Sequence, residues 1–191
     1  MPGRPLGADG VKVECNLMSM QIIPTWKQVA PELQSELVEL WMGNKAITDP
    51  TVAAARARQA VCVARDECGA LCAVSTAVVR VLPRLRQPMY YYRQFFTEAF
   101  RGRKQALPFY NRARQLLQDY NAALPTPESL GVLLELENPM LARHYDRAWV
   151  EEAESAFIGY SPRGLQLRVS YFEGACLLMP TPLRRRKALH A

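Results

Sequence analysis

Tyr90-Tyr91-Tyr92-Arg93-Gln94-Phe95-Phe96 reads as a strand, and Arg101-Gly102-Arg103-Lys104-Gln105-Ala106 follows it as a short basic corner that opens an amphipathic segment reaching about Asn121. A strand, a glycine-containing corner and a helix in that order build an anion site. The first amides of a helix have no intrahelical acceptor, and the helix dipole adds partial positive charge where they point. Arg101, Arg103 and Lys104 strengthen that field. The expected guest is a phosphate-bearing cofactor rather than a metal or a bare carboxylate. The plainer alternative is a solvated basic loop.

Outward from this corner, the chain alternates between strand and helix signals. Leu17 to Ile23 reads as a first strand, and Trp26, Val29, Leu33, Leu37, Leu40 and Trp41 then recur at helical spacing. The start of that helix is open: Thr25 with Gln28 resembles a capping box, whereas Pro31 prefers a first turn. Thr51 to Arg58 is a short helix or an irregular link. Ala60 to Ala64, the turn Asp66-Glu67-Cys68-Gly69, Ala70 to Leu82 and Tyr90 to Phe96 form a meander. The helix after Arg101 carries Leu107, Tyr110, Ala113, Leu117 and Tyr120 on one side, and Pro125 and Pro127 end it. Val132 to Leu136 is a central strand. Asn138-Pro139 supplies a cap and a first-turn proline for a helix with Leu141, Tyr145 and Ala148-Trp149 on one face. A last hairpin joins Ala156–Tyr160 to Leu165–Phe172 through Ser161-Pro162-Arg163-Gly164. One α+β domain of mixed α/β character spans 17–178, between a flexible N-terminal arm (1–16) and a basic C-terminal tail (179–191).

Composition narrows the classes. The chain has 191 residues, 49% of them hydrophobic and 22% charged, which is ordinary for a globular protein with one substantial core. No run approaches the length of a membrane span, so no membrane partner is expected. The net charge of +6 owes four charges to Arg184-Arg185-Arg186-Lys187; without them 20 basic residues face 18 acidic ones. A nucleic-acid partner is therefore disfavoured, since stacking rings would need a continuous basic groove beside them. Five cysteines and only two histidines offer no closely spaced metal cluster, so no metal site is assigned. Cys62 and Cys72 lie in apolar runs, a disulfide scaffold is not expected at this size, and a reducing, cytoplasmic setting fits. P-loop, nucleophile-elbow, zinc-protease and dinucleotide fingerprints are all missing.

The order of elements resembles the GNAT superfamily of acyl-CoA-dependent N-acyltransferases over about residues 17–178, with motif support between 90 and 149. The resemblance implies a single domain with a mostly antiparallel central sheet flanked by helices. It also implies acetyl-CoA or another acyl-CoA as cofactor. Backbone groups of the strand at Phe95 and Phe96 would meet the pantetheine arm. The corner Arg101, Gly102, Arg103, Lys104, Gln105, Ala106 matches the family's Arg/Gln-x-x-Gly-x-Gly/Ala diphosphate loop at both ends, with Lys104 standing where glycine is usual. Asn138 and Ala142 match residues early in the following helix. Tyr145 falls near the family's thiolate-protonating tyrosine, one residue closer to Ala142 than in the commonest form, and Ala148-Trp149 replaces the usual Gly-Phe.

Amine acylation needs a neutral amine at attack distance, a polarised carbonyl and a way out for a proton. Glu98, just past the aromatic strand, and Glu137, near the end of the next one with Glu135 on the same face, are the candidate bases; Tyr145 is the candidate acid. His144 neighbours Tyr145 but projects elsewhere around the helix. The acceptor would be an amine-bearing small molecule or a protein amine, and a homodimer is an allowed assembly. The rival reading is a catalytically silent module of the same fold, which accommodates Lys104 and the missing Gly-Phe.

Overall fold

The structure, a computed structural model, describes residues 20–180; the arm, the first residues of the expected opening strand and most of the basic tail lie outside them. Strands β1 (Gln21–Pro24), β2 (Ala60–Arg65), β3 (Leu71–Leu82), β4 (Gln87–Phe96), β5 (Gly131–Leu136), β6 (Trp149–Val150), β7 (Ser155–Tyr160) and β8 (Gln166–Tyr171) form one sheet. Their order is β1-β2-β3-β4-β5-β8-β7-β6, and every pairing is antiparallel except β4 with β5. The mostly antiparallel sheet flanked by helices matches the expected fold class.

Helix α1 (Pro31–Gly43) takes Pro31 into its first turn, where a missing N–H costs nothing. Thr25 and Gln28 belong instead to a tight turn, with the Gln28 amide donating to the Thr25 carbonyl at 2.9 Å. Helix α2 (Pro50–Ala57) is a true helix because the Asp49 carboxylate accepts from the amides of Thr51 (2.8 Å) and Val52 (3.2 Å). Leu37 and Trp41 of α1 and Ala53 and Ala57 of α2 pack against Val63 and Val74 on one sheet face. Helix α3 (Ala106–Ala122) covers the other face through Phe109, Tyr110, Ala113 and Leu117, which meet Tyr90, Tyr92 and Val132.

The chain crosses from α3 to β5 under tight control. Buried Asn121 donates to the Ser129 carbonyl (2.9 Å) and accepts from the amides of Glu128 (2.9 Å) and Ser129 (3.0 Å). Ser129 in turn receives the Tyr90 amide on its hydroxyl at 3.0 Å, which sets the start of β5 beside β4. Gly131 must be glycine for a steric reason: a Cβ there would stand 2.2 Å from the Ser170 carbonyl oxygen on β8.

Three expectations need correction. The helix after the basic corner begins at Ala106 rather than near Arg101, because Gly102 (φ 76°) and Lys104 (φ 57°) are left-handed. Helix α4 (Pro139–His144) stops before Tyr145, so Ala148 and Trp149 do not extend its face; Trp149 pairs with Ala156 in β6 and is exposed. Finally, Cys62, Cys72 and Cys176 are free thiols but Cys68 is disulfide-bonded. Cys62 and Cys72 are buried as expected of small apolar residues, and desolvation raises both thiols to about 11.

Candidate functional site

Along one edge β4 pairs with β3 over its full length, from Gln87 to Phe96. Along the other it pairs with β5 only at Tyr90, Tyr91 and Tyr92, opposite Val132, Leu133 and Leu134. Beyond that point the two strands part. A cleft of about 870 Å³, open mouth included, occupies the gap. Gln94 and Arg93 line it from β4, Glu135 and Glu137 from β5 and its extension, and Tyr110 and Tyr145 from the helical side.

At one end of the cleft stands the basic corner. Ala106 and Leu107 line the cleft directly. Among the described residues, the amides of Gly102, Lys104, Gln105, Ala106 and Leu107 donate to no protein acceptor. Five unspent donors therefore lie in and just before the first turn of a 17-residue helix, at its positive end. Pro108, in the first turn, withdraws no donor the helix would have used. Lys104 occupies the left-handed conformation that glycine adopts freely, so the loop keeps its shape with a side chain present. Arg101 folds back, its Nε donating to the Phe96 carbonyl at 3.0 Å with the guanidinium over Phe95, and the Arg103 guanidinium covers Phe100. These arginines support the corner while leaving its peptide groups open.

Not every candidate reaches the cleft. The Phe95 and Phe96 rings are outside its lining: Phe95 packs toward α1 and α2, and Phe96 meets Phe109 edge-on at 5.3 Å. Glu98 is exposed in a single 3-10 turn, Glu98–Phe100, and does not line the cleft. Asn138 does line it, but its side-chain oxygen caps α4 by accepting the Met140 amide at 2.9 Å.

Glu135 and Glu137 share one face, as expected of alternate residues, and Arg163 from the β7–β8 turn holds both at 2.7 and 2.8 Å. Tyr91 also donates its hydroxyl to Glu135. Burial works to raise the Glu135 pKa, but hydrogen bonds from Arg163, Ser161 and Tyr91 prevail and hold it at about 2. Such a carboxylate is a poor base. Among the described residues Glu137 has Arg163 as its one ion-pair partner and its side chain is 57% exposed, which leaves it the more accessible of the two.

Tyr145 is half-buried at the end of α4. Its carbonyl accepts from Gln166 Nε2 (2.9 Å) and from Arg168 (3.2 Å), while its hydroxyl has no protein partner among the described residues. Desolvation raises its pKa above the ordinary phenol value, so the hydroxyl keeps its proton at neutral pH. Arg168 is the residue that sequence reading missed. It is 1% exposed, and its guanidinium donates to the carbonyls of Tyr145, Arg147, Ala148 and Ser155 and to the Ser155 hydroxyl. Among the described residues no carboxylate accompanies it; its charge is spread over chain dipoles that it gathers at the cleft wall. Tyr110 was read only as helix packing, yet its buried hydroxyl lies in the cleft lining and lacks a partner. The alternation in β8 gave no hint of the role of Arg168, because both faces of that strand are covered.

Among the described residues no His/Cys/Asp/Glu group is arranged to hold a metal, and no helix is long and apolar enough to cross a membrane. No family model and no curated protein matches the sequence. Solved structures do. A GNAT-family acetyltransferase from Streptococcus pneumoniae is similar with a TM-score of 0.54 at 10% identity, over 81% of this chain and 99% of that one. A second GNAT acetyltransferase, from Listeria monocytogenes, covers 80% of this chain and 95% of its own at 16% identity and a TM-score of 0.46. At such identities the likeness speaks of architecture. This chain has the fold of the GNAT acetyltransferases.

Proposed function

We propose that the chain transfers an acyl group, in the simplest case acetyl, from acyl-CoA to an amine. The observation that carries this reading is the continuity of two features. The strands part at Tyr92 and Leu134, and the gap they leave reaches the start of α3, where Ala106 and Leu107 line it with free amides and Gly102, Lys104 and Gln105 just before them are free as well. Those donors fit a diphosphate, whose oxygens accept several N–H groups at once. The cofactor supplies an activated acyl thioester. For its part the chain contributes position, a dry wall and proton handling. Unpaired backbone along β4 near Gln94 aligns an extended arm, in place of a third sheet edge. Tyr145, protonated and without a competing partner, is the proposed donor to a departing thiolate. Glu137 is the proposed acceptor of the amine proton, directly or through water, and Glu98 is set aside because it lies away from the cleft.

Calorimetric titration with acetyl-CoA and desulfo-CoA tests the reading. Binding below about 1 mM is expected, and its absence would remove the proposal. Tyr145→Phe is expected to lower turnover about 100-fold with cofactor affinity nearly unchanged, measured by thiol release and calorimetry. An unchanged rate would relieve Tyr145 of its role. The second reading, a silent module of the same fold, draws on the locking of both glutamates by Arg163. Cofactor binding without thiol release across a broad amine panel would favour it.

A further inference from the structure

On the sheet face opposite α3, the mouth of the cleft carries charge that the transferase reading does not use. Arg93 lines the cleft, and its guanidinium lies over the Tyr91 ring, 4.4 Å from the centroid. Arg80 lies against the same ring at 4.7 Å. Both side chains project from the face that α1 and α2 partly cover: in the β3–β4 register Arg80 is opposite Met89 and Val78 opposite Tyr91, and Val74 and Phe95 of that face pack under the two helices. Arg56, half-buried in the last turn of α2, is the third cation of the group. Burial lowers its pKa, and Arg93 and Arg80 push it the same way while Glu137 opposes them, so all four share one electrostatic neighbourhood.

The acids nearby do not neutralise this cluster. Glu135 and Glu137 both bond Arg163, and among the described residues no carboxylate lies within ion-pair distance of Arg56, Arg80 or Arg93. Arg93 is the one of the three that lines the cleft, with Arg80 on the same Tyr91 ring and Arg56 near enough to repel it, at a cost to the empty protein. An anion placed against Arg93 reduces that cost, and guanidinium forks match carboxylate and phosphate oxygens. Glu137, which lines the same cleft and bonds Arg163, offers a group of opposite charge. The mouth is thus polarised, with cations on the α2–β3–β4 side and acid on the β5 side.

We propose that Arg56, Arg80 and Arg93 form the recognition site for an anionic group on the acceptor, which is therefore an amine that also bears a carboxylate or a phosphate. The amine faces Glu137 and the anion faces Arg93. The word acceptor rests on the transferase reading; the anion site itself does not. A polyamine or a plain aliphatic amine does not complement this mouth, because each leaves the arginines unmatched.

The test uses the full chain and four small probes of similar length: ethanolamine, putrescine, β-alanine and O-phosphoethanolamine, titrated by calorimetry at low salt. Acetyl-CoA is titrated in a parallel sample. The expected result is that β-alanine or O-phosphoethanolamine binds at least about tenfold more tightly than ethanolamine, with the stronger of the two deciding between carboxylate and phosphate. Arg93→Gln and, separately, the more peripheral Arg56→Gln should each weaken that probe about tenfold, with circular dichroism confirming the fold. Equal affinity for all four probes, a preference for putrescine, or anion binding untouched by both substitutions would overturn the proposal. Failure of acetyl-CoA to bind while the anionic probe does would remove the transferase reading and leave the anion site standing.

Discussion

The two edges of β4 differ more than any other pair of regions in the molecule. Toward β3 the strand is zipped from end to end; toward β5 it is joined at three residues and then released. The first edge makes a sheet and the second makes a cleft. The same seven residues, Tyr90 to Phe96, serve both, so composition alone does not separate the stabilising edge from the open one. What separates them is where the partner strand goes, and that is fixed at a distance by Asn121, Ser129, Gly131 and the residues behind β5.

The largest expected effect comes from breaking the support of the open edge. Arg168→Ala takes one donor from each of four carbonyls and from the Ser155 hydroxyl, of which the Tyr145 and Ala148 carbonyls keep Gln166 Nε2 and the Phe157 amide, and empties a buried volume; it should cost roughly 3 kcal/mol in denaturant unfolding. A loss below about 1 kcal/mol would show that water replaces the guanidinium readily. Next in size is Gly131→Ala, which drives a methyl into the β8 backbone and should destabilise by about 2 kcal/mol, read as a lower denaturation midpoint with an unchanged slope.

A smaller effect sharpens the comparison through pH. Glu135 binds its proton more weakly folded, at about 2, than at the reference carboxylate value of 4.5. As pH falls the unfolded chain takes up this proton first, so the contribution is present above about pH 4.5 and is lost as pH drops toward 2. Arg163→Gln removes the main hydrogen bonds that hold the carboxylate down. Its acid unfolding midpoint, followed by circular dichroism, should therefore lie at higher pH than that of the unaltered protein. Identical acid transitions would deny the pairing any role in stability. The smallest change is expected from Lys104→Gly, which relieves a left-handed side chain but frees the unfolded backbone, and should leave stability within about 1 kcal/mol.

Much of the frame was legible from residues. Asn138-Pro139 announced a capped helix start, the Ser161-to-Gly164 stretch a hairpin turn, and the aromatic strand with its basic corner the architecture that the structure displays. Local chemistry suffices there, because a cap or a turn is decided by a few adjacent residues. The end of α4 was not legible, since Arg168, far along the chain, draws the carbonyls of Tyr145, Arg147 and Ala148 out of helical register. Nor was β6, whose two residues are too few to show a period. Of the site, Tyr145, Glu137, Asn138 and, from the corner, Ala106 line the cleft; Arg101 to Gln105 do not, and Glu98 does not, because the 3-10 turn after β4 carries it outward. Tyr110 and Arg168 escaped notice because a cleft formed by diverging strands leaves no mark in the order of residues.

The corner between β4 and α3 offers peptide groups, and peptide groups are the same in every protein. Gln105 can drift without moving a donor, provided positions 102 and 104 still tolerate left-handed backbone, whereas Arg101 and Arg103 brace the corner through Phe96 and Phe100. At the mouth proposed for the acceptor the groups on offer are side chains, which one substitution rewrites. Under that proposal a lineage would be free to exchange its acceptor while retaining its acyl donor; the fold itself is shared with a solved structure at only 10% identity.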